Sequence, residues 1–287
     1  MSQLHRPAFF CLILIVLLLA GGCSPLSMLN ATVVANYQPT ANQAYGADPR
    51  QTLDIYIPEH PVKNADVVVF IYGGRWQFGS KEEYRFVADG LTEKGFIAVI
   101  PDYRLYPQVD WRDFMADTAA AYHWVETHIA TYGGNPNRIF IMGHSAGAHL
   151  AAMVALDPLL RQKAGSERAP CGMIGLAGPY DFLPIDDADV QQVFKSANRL
   201  IETQAIFYAD HIGSPMLLLT GAADTTVKPG NTYRMASAIK EHGGTVEVLS
   251  YPKVGHISIM LALARPLSFL APTLQDTTNF IHRTVCP

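Results

Sequence analysis

At 287 residues the chain has room for one α/β domain built around a single large core. Hydrophobic residues make up 49% of it and charged residues only 16%, which excludes a disordered chain. The net charge is −4 and no basic run appears, so nucleic acid is excluded as an expected partner.

The chain opens on a segment that reads as targeting rather than as fold. His5 and Arg6 precede an unbroken apolar run from Phe9 to Ala20. That run is shorter than the ~20 residues needed to span a bilayer, and small residues follow it. The stretch Leu19-Ala20-Gly21-Gly22-Cys23-Ser24 resembles a bacterial lipoprotein signal. The resemblance implies a signal peptide over 1–22, a lipid on Cys23, and a domain anchored to the membrane of the cell envelope, facing the periplasm or the outside. An ordinary secretory peptide or an uncleaved anchor is the alternative, and either also leaves the domain outside the cytoplasm. Cys11 falls inside the signal, so Cys171 and Cys286 are left as an even pair in an oxidising compartment. They read either as a disulfide tying the C-terminal tail to the central sheet or as two separate buried thiols.

Residues 23–47 are small and polar and read as a tether with little structure, leaving the folded domain over 48–287. Gln51 to Ile57 alternates around Leu53, Ile55 and Ile57, the pattern of a half-buried antiparallel edge strand, and Pro58 closes it. Val67 to Tyr72, Phe96 to Ile100, Ile139 to Met142 and Met216 to Thr220 are continuous apolar runs, as in strands covered on both faces; Val246 to Tyr251 is a later strand. Helical stretches lie between them at Glu82 to Lys94, Trp111 to Tyr132, Ala146 to Leu156 and Asn231 to His242. This alternation predicts an α/β fold with a mostly parallel sheet and helices on both faces. The segment 181–211 breaks the rhythm with several acids and Phe182, Phe194 and Phe207. It reads as a small cap over the site, or as a surface excursion away from it.

The chemistry centres on Gly143-His144-Ser145-Ala146-Gly147, a G-x-S-x-G elbow between a strand and an apolar helix. The turn presents a lone hydroxyl above a helix N-terminus, whose partial positive charge favours a developing oxyanion. A serine hydroxyl needs a base, an acid that orients the base, and donors for the oxyanion. His256, on a Pro/Gly loop after the last strand, is the candidate base. Asp224, in the loop beyond the Met216 strand, is the candidate acid; Asp181 and Asp186 are rivals but precede that strand. His144, His149 and His211 read as structural or rim groups. The turn Tyr72-Gly73-Gly74-Arg75-Trp76 follows the first central strand, and its amides at Gly74 and Arg75, with that of Ala146, are the expected oxyanion donors. No cofactor is implied, and no metal, since neither a cysteine pair nor an H-E-x-x-H spacing is present.

Tyr-Gly-Gly-Arg-Trp with Gly79-Ser80-Lys81, then Asp102-Tyr103-Arg104-Leu105, then Gly-His-Ser-Ala-Gly, resembles the α/β-hydrolase esterases of the hormone-sensitive-lipase and feruloyl-esterase-like group. Kynurenine formamidases share the pattern. The resemblance covers nearly all of residues 50–283 and implies an α/β-hydrolase fold with a small cap. It further implies a serine carboxylesterase acting on small or medium acyl esters. Tyr72 stands where the group usually has His, and Arg75 where a third glycine or an alanine is usual. Tyr72 then supports the loop, while the Arg75 side chain narrows the acyl site or offers a charge to an acidic substrate. Tyr103 and Arg104 are expected to brace the loops. An arylformamidase-like amide hydrolase or a peptidase is the alternative within enzymes, and a catalytically silent envelope binding protein the alternative outside them.

Overall fold

The computed structural model describes residues 25–286 apart from 32, 34 and 212. The signal expected over 1–22 and the lipid acceptor Cys23 lie outside the described residues. Eight strands form one sheet: β1 (Tyr37–Ala44), β2 (Thr52–Pro58), β3 (Ala65–Ile71), β4 (Ile97–Pro101), β5 (Gly134–His144), β6 (Gly172–Leu176), β7 (Met216–Gly221) and β8 (Val246–Tyr251). Their spatial order is β1-β2-β4-β3-β5-β6-β7-β8. The pairs β1/β2 and β2/β4 are antiparallel, and all others are parallel.

Composition explains the centre of this sheet. Val67, Val68, Val69, Phe70 and Ile71 of β3 are wholly inaccessible, and every residue of β4, β6 and β7 is buried. Strands covered on both faces need no polar alternation, and these have none. The long helices are α2 (Arg85–Glu93), α3 (Trp111–His128), α4 (Ala146–Leu156), α7 (Gly230–Glu241) and α9 (Thr273–Arg283). The short ones are α1 (Pro25–Asn30), α5 (Pro158–Lys163), α6 (Ala188–Phe194) and α8 (Ser258–Leu261). Asp110 starts α3 with a reciprocal capping box to Asp113, and Asp157 caps α5 ahead of its Pro158. Helix α4 is apolar all round and buried along its whole length, as a helix enclosed on every side must be.

Two sequence expectations are corrected at the N-terminal side. The stretch 23–47 is not a bare tether, because α1 and β1 lie within it. Gln51 to Ile57 is accordingly not at the edge: β2 runs between β1 and β4. The polar sequence of β1 is held by backbone pairing, from Tyr37 opposite Pro58 to Ala44 opposite Thr52, rather than by an apolar face. Pro39 and its many exposed side chains suit the sheet margin it occupies.

Register decides where the loops go. Ile71 pairs with Gly143, Gly143 with Gly175, Gly175 with Leu218, and Leu218 with Val248. The segments leaving β3, β5, β7 and β8 therefore emerge along the same, C-terminal edge of the sheet. The opposite end is closed by the tail. Cys171 and Cys286 form a disulfide across 115 residues of sequence, with their Cα atoms 4.5 Å apart. Arg138 grips the Asp66 carboxylate through two nitrogens, at 2.6 and 2.9 Å, and donates to the carbonyls of Ile281 and Thr284.

A cross-link over so long a loop restricts the unfolded chain and stabilises by about 2–4 kcal/mol. Cys286→Ser is therefore expected to lower Tm by about 5–15 °C in thermal unfolding. An unchanged Tm would show that the tail contributes nothing to the stability of the sheet.

Candidate active site

Ser145 sits between β5 and α4 with φ 55° and ψ −125°, a conformation that side chains rarely adopt. Close backbone approach explains both glycines of the elbow. A Cβ on Gly143 would lie 2.2 Å from the carbonyl oxygen of Gly147, and one on Gly147 would lie 2.0 Å from that of Ile71. The strained turn is anchored by the Ser145 amide, which donates to the Leu176 carbonyl at 2.9 Å.

The loops after β7 and β8 bring two distant side chains to this hydroxyl. His256 Nε2 lies 2.9 Å from Ser145 Oγ, and His256 Nδ1 lies 2.8 Å from Asp224 Oδ2. An ionised carboxylate only accepts, so Nδ1 carries the ring proton and Nε2 is left to accept from the serine hydroxyl. The other oxygen of Asp224 accepts from the amides of Thr226 and Val227 at 2.8 and 2.9 Å. Burial pushes the Asp224 carboxyl up, but the hydrogen bond from His256 and those two amides outweigh it. The carboxyl titrates below its ordinary value and stays ionised.

The rival acids do not reach the imidazole. Asp181 accepts from Arg234 Nε at 2.5 Å, and Asp186 lies on the rim of the cavity described below. His144, expected to be structural, supports the site from beneath: its Nε2 donates to the His256 carbonyl at 2.8 Å, and burial pulls its pKa down to about 3. His149 is likewise buried and neutral, donating to the Thr203 carbonyl at 2.7 Å, with burial lowering its pKa to about 4.

The glycine turn after β3 lies beside the elbow: a Cβ on Gly73 would stand 3.0 Å from Ser145 Cβ. Gly74, Arg75 and Trp76 have φ of 116°, 56° and 60°, and the Gly74 carbonyl accepts from the amides of Gln77 and Phe78. Among the described residues no carbonyl accepts from the amides of Gly74, Arg75 or Ala146. The turn is braced from outside. Tyr72 donates its hydroxyl to Asp102 at 2.6 Å, Tyr103 donates to the Tyr72 carbonyl at 3.0 Å, and Arg104 clasps Asp117 at 2.9 and 2.8 Å. The sequence did not single out Arg50, which donates to the Tyr72 hydroxyl and to the carbonyls of Gly79 and Tyr103. Nothing local to residue 50 signals partners 22 to 53 positions away.

A cavity of about 360 Å³ opens onto Ser145 and Ala146. Its apolar wall comes from Trp76, Phe182, Ile185, Val190 and Val227, so the segment beginning at residue 181 does lie over the site. The Arg75 side chain, left open between two roles by the sequence, donates to Asp187 at 2.6 Å, and both residues line the cavity. Among the described residues no group of three or more His, Cys, Asp or Glu side chains could hold a metal ion, and no helix is long and apolar enough to cross a membrane.

The chain is similar to several known proteins. The probable isoprenylcysteine alpha-carbonyl methylesterase ICME of Oryza sativa subsp. japonica is 28% identical over 238 residues, covering 76% of this chain and 58% of its own. Esterase LipQ of Mycobacterium tuberculosis is 28% identical over 266 residues, covering 85% of this chain and 62% of its own. The chain thus spans little more than half the length of such relatives. Among solved structures, a truncated carbohydrate esterase from gut microbiota superposes with a TM-score of 0.77 at 20% identity, covering 87% of this chain and 97% of that one. Esterase B from Lactobacillus rhamnosis superposes with a TM-score of 0.78 at 18% identity, covering 96% of this chain and 97% of that one. These likenesses show the α/β-hydrolase fold. Residues 53–239, more than half of the sequence, match the BD-FAE family, and the chain belongs to that family.

Proposed function

We propose that the chain is a serine carboxylic-ester hydrolase that works through an acyl-enzyme on small or medium acyl esters. The observation that carries this reading is the unbroken relay from Asp224 through His256 to Ser145, at 2.8 and 2.9 Å. Ser145 Oγ attacks the ester carbonyl while His256 Nε2 takes its proton. Asp224 fixes the imidazole tautomer and stabilises the imidazolium that forms. The amides of Gly74, Arg75 and Ala146 receive the negative charge on the carbonyl oxygen. His256 then returns its proton to the departing alkoxide, and the alcohol leaves. Water, deprotonated by the same imidazole, attacks the acyl-enzyme; the bond to Ser145 Oγ breaks, His256 returns the proton to that oxygen, and the acid is freed. The apolar wall of the 360 Å³ cavity suits an acyl group of modest length. Relatives described as esterases support an ester over an amide.

We further propose that the domain is held at the cell envelope by a lipid on Cys23. The Cys171–Cys286 disulfide supports an oxidising compartment.

Ser145→Ala is expected to reduce hydrolysis of short p-nitrophenyl esters by at least ~10⁴-fold with an unchanged Tm. Loss of folding instead would mean that the serine serves structure. Assaying the wild-type chain with N-formyl and peptide amides beside the esters tests the bond preference; faster amide turnover would overturn the ester reading. Asp224→Asn keeps the geometry but permits the wrong histidine tautomer, so kcat should fall by about 10⁴-fold; near-normal turnover would remove Asp224 from the relay. Cys23→Ser should release the protein from the membrane fraction, and unchanged retention would contradict the lipid anchor.

A further inference from the structure

Two consecutive non-glycine residues of the turn beside Ser145, Arg75 and Trp76, are held at positive φ. Such conformations persist only where the surroundings enforce them. Helix α6 of the cap contacts both residues, one from each of its ends, alongside Phe114, His149 and Phe182 on the Trp76 ring. At its C-terminus Phe194, wholly buried, meets the Trp76 ring edge-on with centroids 4.9 Å apart. At its N-terminus Asp187 Oδ1 accepts from Arg75 Nη2 at 2.6 Å, with Asp189 Oδ2 behind it at 3.8 Å. The same Asp187 oxygen caps the helix, accepting from the amides of Asp189 and Val190 at 3.0 and 3.1 Å.

The two attachments differ in kind. The Trp76–Phe194 contact is buried. The Arg75 and Asp187 side chains are 41% and 49% exposed, so their ion pair adds little to stability and is open to screening by salt. Among the described residues Arg75 makes ion pairs with Asp187 and Asp189 alone: of the other charged groups lining the cavity, Asp181 is engaged by Arg234, Asp186 is not within ion-pair distance of Arg75, and Lys228 is itself a cation.

We propose that Asp187 is a positioning residue for ester hydrolysis, acting through Arg75 to seat helix α6 on the oxyanion turn. The ion pair at one end of α6 and the Trp76–Phe194 contact at the other then hold the cap wall and residue 75 together. This rests on the serine-hydrolase reading given above.

Asparagine is as good a helix cap as aspartate but carries no charge, so Asp187→Asn removes the ion pair and keeps the cap. Asp187→Asn/Asp189→Asn also removes the neighbouring acid that could substitute. Each variant of the full chain would be assayed at low salt for kcat and KM with p-nitrophenyl acetate, and for the rate of Ser145 labelling by a fluorophosphonate. In the double variant kcat and the labelling rate should both fall about tenfold, while KM moves less than about twofold and Tm stays put. Asp187→Glu should restore most of the loss. In 1 M salt, which weakens an exposed ion pair, the wild-type chain should approach the variant and the variant should not change. Labelling and kcat within twofold of wild type in the double variant would overturn the proposal, as would an Asp187→Glu variant as slow as Asp187→Asn. A wild-type chain that is not labelled at all would instead remove the serine-hydrolase reading, and this positioning role with it.

Discussion

The C-terminal edge of the sheet is governed by one steric constraint: the backbone of α4 lies against the end of β3 with no room for a side chain. A Cβ at Gly147 would meet the carbonyl oxygens of Ile71 and Tyr72 at 2.0 and 2.4 Å. Because the helix begins immediately after Ser145, this contact ties the hydroxyl to the turn that starts at Tyr72. Neither can shift without the other. The parallel ladder that pairs Ile71 with Gly143 extends the same tie into the sheet, and the Ser145 amide extends it to β6 through Leu176. The strained φ of Ser145 is affordable only inside such a frame, where packing on three strands leaves the turn no alternative.

The two ends of the sheet are built differently. At the N-terminal end, the disulfide, the Asp66–Arg138 pair and the tail carbonyls that accept from Arg138 make a cross-linked, charge-matched closure. At the other end the loops are held by directed hydrogen bonds, some from buried side chains such as His144 to the His256 carbonyl and Tyr103 to that of Tyr72. Rigidity at one end leaves short loops at the other free to be placed by a few directed contacts.

What was legible in the sequence was what local chemistry dictates. The runs that became β3, β4 and β7 need burial on both faces, and their residues state it. The elbow glycines state a close approach, and Asp224 and His256 follow strands whose direction fixes the edge at which they emerge. The misreadings share a cause. β1 is polar and mostly exposed, so only its pairing with β2, a matter of tertiary structure, makes it a strand. Arg50, Asp102 and Tyr72 meet across tens of residues, and Asp187 finds Arg75 across 112. Several acids in the same segment look alike until one of them acquires a neighbour. Cys171 and Cys286 were ambiguous for the same reason, since pairing depends on a distance that sequence does not carry.

The surroundings of Asp224 have a further consequence. Its side chain is wholly inaccessible, one oxygen is engaged by two amides and the other by the imidazole. A carboxylate held on both sides has no freedom to rotate, and no solvent reaches it to rearrange. The orientation of the ring, and hence which nitrogen faces the alcohol, is settled when the chain folds. In the proposed reaction, the entropy of alignment and the reorganisation of dipoles are then met once, during folding, instead of being part of the barrier at every turnover.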